Sequence, residues 1–159
     1  MNILVLNGSP KGEDSITLQT VRYWEKKFGQ HFEVLHVGRK IKALEKNFAP
    51  ALEAIAKADL LLFSYPVYTF IAPCQLHRFI ELMKEHSADV SGKVATQLST
   101  SKHFYDVTAH RYIQDNVQEM GMHYIRGLSA DMEDLTTEKG RKEADNFWKY
   151  LNWSVESKI

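Results

Sequence analysis

The chain has 159 residues, 44% of them hydrophobic and 25% charged, enough apolar material to fill the core of one ordinary domain. Its 20 basic and 20 acidic residues cancel, so no electrostatic footprint marks a nucleic-acid partner or an anionic membrane surface. No window reaches the roughly 20 apolar residues of a membrane helix, and the N-terminus enters a strand with no signal-peptide pattern, which makes a cytoplasmic location the default expectation. In chain order, Asn2–Asn7 reads as a buried strand. Ser15–Phe28 has helical periodicity, with Leu18, Val21, Tyr23 and Trp24 in its apolar stripe and Gly29 as its stop. His31–Val37 alternates as a strand. Asn47–Ala58 is an alanine-rich helix with Asn47 as a cap. Asp59–Tyr65 is a continuous apolar run, as in a strand covered on both faces. Pro73–His86 is helical, with Leu76, Phe79, Ile80 and Met83 inward. Lys93–Ser99 is a fourth strand. Asp106–Met120 is a helix with Val107, Tyr112, Ile113, Val117 and Met120 inward. Met122–Leu128 is a fifth strand, and Thr136–Leu151 is the last helix, opened by Thr136 or Thr137.

Five strands alternating with five helices predict an α/β domain over 1–159, with a parallel sheet and helices on both faces. The common doubly wound order for five strands is 2-1-3-4-5, that of flavodoxin-like three-layer sandwiches. Ligands of such sheets sit at the carboxyl ends of the strands. The loops that matter are then those after strands 1, 3 and 4.

The first loop runs from Asn7 to Leu18. Gly8 and Gly12 allow a tight turn and close backbone approach. Ser9, Ser15 and Thr17 bring hydroxyls, Lys11 a cation, and the helix opening near Ser15 a positive dipole end. This describes an anion site, or more plainly a well-capped turn between strand and helix. It has neither the Gly-Lys-Ser/Thr ending of a P-loop nor the GxGxxG of a dinucleotide fingerprint. Glu13 and Asp14 are awkward beside an anion and are expected to face solvent or cap the helix. After strand 3, Pro66 and Pro73 stiffen a loop carrying Tyr68 and Phe70, flat surfaces for an aromatic ligand or simply core aromatics beside a turn. After strand 4, Ser99, Thr100 and Ser101 place three hydroxyls at a strand end. Cys74, the only cysteine, excludes an internal disulfide framework and a self-contained cysteine-bound metal site, and is expected to be buried and structural. His103 and His110 lie too far apart, across a turn, to indicate a shared metal. His110 is expected to be capped or at the surface.

The run Gly8-Ser9-Pro10-Lys11 followed by Ser15-Ile16-Thr17-Leu18 resembles the phosphate loop of the NAD(P)H-dependent FMN reductases. It is closest to the branch containing the iron–sulfur flavoproteins. Pro66-Val67-Tyr68 followed by Gln75-Leu76-x-x-Phe79-Ile80, and the stretch Ser99 to His110, resemble the same branch in order and position. The resemblance spans the chain through Asp131-Met132-Glu133-Asp134-Leu135. The cysteine cluster of the iron–sulfur members is missing, so that cluster and any other metal are not expected. The resemblance implies that Ser9, Lys11, Ser15, Ile16 (backbone), Thr17 and Leu18 (backbone) hold the FMN phosphate. It sets Pro66, Val67, Tyr68, Thr69 and Phe70 against the flavin ring, and Ser99, Thr100 and Ser101 on the ring's pyrimidine side. His103 is a candidate lining residue, and no side chain is assigned a catalytic role.

The implied activity is an FMN-dependent oxidoreductase that takes hydride from NAD(P)H and reduces a small acceptor, such as free flavin, a quinone, an azo or nitro compound, or iron. The flavin carries the chemistry. The implied assembly is a homodimer or homotetramer, with Trp148 in the core and Trp153, beyond the last helix, as an interface candidate. The alternative is a flavodoxin-like electron carrier that does not oxidise nicotinamide itself. Flavodoxins are usually strongly acidic, and this chain is neutral.

Overall fold

The computed structural model describes residues 1–67, 71–101, 106–131 and 134–157. Its strands are β1 (Ile3–Asn7), β2 (Glu33–Leu35), β3 (Leu60–Pro66), β4 (Val94–Ser101), β5 (His123–Tyr124) and β6 (Leu128–Asp131). Its helices are α1 (Ile16–Phe28), α2 (Val37–Lys46), α3 (Ala49–Lys57), α4 (Cys74–Glu85), α5 (Val107–Glu119) and α6 (Glu138–Ser157). The sheet is parallel in order β2-β1-β3-β4-β5, and β6 also pairs with β4. This is the expected flavodoxin-like topology.

The period-2 geometry of the strands builds two cores. Leu4 and Leu6 of β1, with Leu61, Phe63 and Tyr65 of β3, meet the apolar stripes of α2 to α5. Ile3 and Val5, with Leu60 and Leu62, meet α1 and α6 on the other face. There Trp24 is fully buried, stacks on Phe147 and Trp148, and donates its indole N–H to Ala144 O at 3.0 Å. The helix ends follow their cap residues. Gly29 takes the left-handed conformation (φ 65°) that ends α1. Thr137 Oγ1 accepts the Gly140 N–H at 3.0 Å, and Asn47 Oδ1 accepts the Ala49 N–H at 3.2 Å.

Several expectations fail for local reasons. The alternation of His31–Val37 runs on past the strand, which stops at Leu35. Helix α2 follows and was not expected, because its stripe (Val37, Ile41, Leu44) is thin among Arg39, Lys40, Lys42 and Lys46. Strand β4 runs on to Ser101. Val107 is 72% exposed, not inward. Helix α6 continues through Trp153 to Ser157, so Trp153 lies on the helix, 53% exposed, while Trp148 is buried as expected. Cys74 is exposed rather than buried.

The fifth strand is two pieces. Ala95 pairs with Tyr124 and Leu98 pairs with Leu128, so three steps on β4 face four on its neighbour. That extra residue is a bulge. Gly127 sits in it against β4, where a Cβ would come within 2.3 Å of Gln97 O. The slip resets the alternation, so that Leu128 joins the α1/α6 core and the Ser129 hydroxyl reaches Asp106 at the start of α5.

Candidate functional site

The carboxyl ends of β1, β3 and β4 are stitched into one edge. Asn7 pairs with Ser64, Tyr65 with Ser99, and Pro66 with Thr100. Gly8 N–H donates to Ser64 O at 2.8 Å, and Val67 N–H donates to Thr100 O at 2.8 Å. The first loop is fixed from inside by Asn7. Its Nδ2 donates to Gly12 O at 3.0 Å, and its Oδ1 accepts the Ser9 N–H at 3.2 Å. Ser9 Oγ accepts the Lys11 N–H at 3.2 Å. A short 3-10 turn, Gly12–Asp14, then leads into α1.

This turn changes the role of Ser15. It occupies the N-cap position of α1, yet its side chain makes no capping bond. Its Oγ is buried and has no hydrogen-bond partner. An unsatisfied buried hydroxyl costs roughly 1–3 kcal/mol. The first turn of α1 carries no acidic residue to offset its positive end. Thr17 Oγ1 and Thr100 Oγ1 are 2.6 Å apart and buried, which ties α1 to β4. Whichever hydroxyl donates, the proton of the other remains for a third acceptor. Leu18 is fully buried, while Ile16 is 48% exposed. Lys11 is exposed on the rim of the loop.

Glu13 turns away from the loop. Its carboxylate pairs with Arg22 at 2.5 Å and lies 3.3 Å from His36, and the hydrogen bond from Arg22 holds its pKa below the ordinary value. Two residues of the unexpected helix α2 join the loop. A Cβ on Gly12 (φ 58°) would fall 3.2 Å from Arg39 Cδ and 3.3 Å from its Nη1, so this guanidinium lies against the turn. A Cβ on Gly38 would fall 2.3 Å from Gly8 O, so only glycine lets α2 lie directly on the loop backbone.

At the end of β4 the three hydroxyls part company. Ser99 Oγ donates to Asp106 Oδ2 at 2.6 Å and sits 2.7 Å from His110 Nε2. Thr100 faces Thr17. Ser101 Oγ is buried and has no partner. Ser99 therefore serves the α5 side of the sheet, while Ser101 Oγ, like Ser64 Oγ at the end of β3, has hydrogen-bonding capacity that no described group meets. His110 is not a surface histidine. Burial holds its pKa below the ordinary value against the pull of Asp106, and its Nε2 lies 3.4 Å from Asp106 Oδ2. With Ser99 donating to Asp106, neutral His110 must donate to Ser99 through Nε2. Burial likewise pushes the Tyr65 hydroxyl well above its ordinary pKa, and it donates to Gln97 Oε1 at 2.5 Å. Pro66 and Val67 are buried at the strand end. Tyr68, Thr69, Phe70 and His103 lie outside the described residues.

A family model for NADPH-dependent FMN reductases matches residues 1–134. The chain belongs to this family. FMN as cofactor and NAD(P)H as co-substrate go with that membership. No curated protein matches the chain. Among solved structures, it is similar to an apo NADH:FMN oxidoreductase, with TM-score 0.77 and 19% identity over 96% of this chain and 89% of that one. It is also similar to a general stress protein 14 from Treponema denticola in complex with FMN, with TM-score 0.71 and 13% identity over 96% and 98% of the two chains. A third is an FMN-dependent NADH-azoreductase from Bacillus anthracis, with TM-score 0.64 and 13% identity over 99% of each chain. At these identities the likeness establishes the shared fold.

Proposed function

We propose that the chain binds FMN at the joined ends of β1, β3 and β4, and transfers electrons from NAD(P)H to a small-molecule acceptor. The observation that carries this reading is Ser15, a buried, partnerless hydroxyl at the uncapped positive end of α1, in a chain of the FMN reductase family. The residues present fit a phosphate. The α1 amides, Ser15 Oγ and the spare proton of the Thr17–Thr100 pair offer donors, and Lys11 and Arg39 offer positive charge. The backbones of Ile16 and Leu18 belong to the α1 turn that would close on it, and Ser9 braces the loop. Pro66 and Val67 shape the wall for the ring, and Ser101 supplies a hydroxyl at its edge. Bound FMN would supply the hydride-accepting chemistry. The protein's part is to hold the cofactor by its phosphate and keep water from the buried strand ends. The reading includes assembly as a homodimer or homotetramer.

The test is anaerobic mixing of the FMN-loaded protein with NADPH or NADH. Rapid bleaching of the flavin absorbance is expected with at least one of them. A flavin that bleaches only after a separate reductase is added would make the chain an electron carrier instead.

A further inference from the structure

A groove of about 800 Å³ runs between α5 and the β5–β6 edge, within the usual range of small-molecule sites. One wall is α5 with His110, Arg111 and Gln114. The other is Tyr124, Arg126 and Gly127. We propose that this groove holds the phosphorylated adenosine end of NADPH, with Arg111 and Arg126 gripping phosphate from opposite walls. The proposal rests on the oxidoreductase reading above and adds where the rest of the co-substrate lies.

Three features support it. The first is continuity. The groove begins at Asp106 and Ser129, next to the β4 hydroxyls, and runs to Gln114. Eight helical residues cover about 12 Å. A ligand whose reacting ring sits at the strand ends can extend along that path. The second is charge. Both arginines are exposed, and neither forms an ion pair with a described carboxylate. The planar guanidinium fork matches phosphate oxygens two at a time. The acid within the groove, Asp106, is 4% exposed and already accepts hydrogen bonds from Ser99 and Ser129. Its charge is thus turned to the protein, and the open wall is left cationic in a chain whose formal net charge is zero. The third is surface. The half-buried Tyr124 ring, held through its hydroxyl by Gln97 Nε2 at 2.6 Å, and the His110 ring offer flat area for a base.

The proposal is tested by calorimetric titration of the FMN-loaded protein with 2′,5′-ADP and with 5′-AMP, repeated on the double variant Arg111→Ala/Arg126→Ala. The wild type is expected to bind 2′,5′-ADP about tenfold or more tightly than 5′-AMP, and the double variant to lose about tenfold or more of the 2′,5′-ADP affinity at an unchanged melting temperature. No binding of 2′,5′-ADP to the wild type, or equal binding to the variant, overturns it. The outcome is separable from that of the bleaching test. Arginine-dependent binding in a protein whose flavin NADPH cannot bleach would uphold the groove and sink the reductase reading. Bleaching with arginine-independent binding would do the reverse.

Discussion

Gly38→Ala is expected to lower FMN affinity by about tenfold or more and to destabilise the fold by about 1–3 kcal/mol. The new methyl would lie 2.3 Å from Gly8 O and 2.6 Å from the carbonyl carbons of Gly8 and Ser9. These are backbone atoms and cannot rotate aside. Either α2 lifts from the loop, taking Arg39 with it, or the loop moves toward Leu76. That side is already full, since a Cβ on Gly8 would meet Leu76 Cβ at 3.0 Å. Both routes disturb the place where Ser9 and Ser15 are held. Flavin fluorescence titration and urea denaturation measure the two effects. Wild-type values in both would show that α2 does not brace the loop.

Trp24→Ala is expected to cost about 3–5 kcal/mol, a large share of the roughly 5–15 kcal/mol that holds a typical domain together. Trp24 is the centre of the α1/α6 side. It is fully buried, lies between Phe32, Phe147 and Trp148, and gives its indole proton to Ala144 O. Truncation leaves a cavity among aromatic rings that cannot collapse far, and it strands a carbonyl. The melting temperature should fall by about 10 °C or more. A loss under about 1 kcal/mol would mean that α6 is not anchored through this residue.

The sheet and its order were legible because the apolar runs of β1 and β3 and the stripes of α1, α4 and α5 are strong. Element ends were less so. The alternation of His31–Val37 carried no mark of where pairing with β1 stops. Helix α2 sets only Val37, Ile41 and Leu44 inward among basic residues, so its periodicity is faint. With α2 went Gly38 and Arg39, which reach the first loop only through tertiary contact. The bulge after Tyr124 was likewise invisible. Gly127 needs its lack of a side chain because Gln97 O lies behind it, and no local pattern reports that. At the site, residue types were readable and their orientation was not. Ser99, Thr100 and Ser101 look alike in sequence, yet the pleat turns Thr100 to Thr17 on one face, and on the other face only Ser99 lies within reach of Asp106 and His110, which leaves Ser101 Oγ without a partner. Glu13, awkward in the sequence, is explained by Arg22, which neutralises it away from the loop.

We place the phosphate of FMN at the end of α1. Parallel fluorescence titrations with FMN and with riboflavin, which lacks that phosphate, test it most directly, on the wild type and on Lys11→Ala/Ser15→Ala. Two charge-assisted hydrogen bonds, at about 1.5–3 kcal/mol each, predict that the wild type prefers FMN by about 100-fold or more, and that the double variant loses about tenfold or more of this preference. Equal affinity of the wild type for FMN and riboflavin would contradict the account.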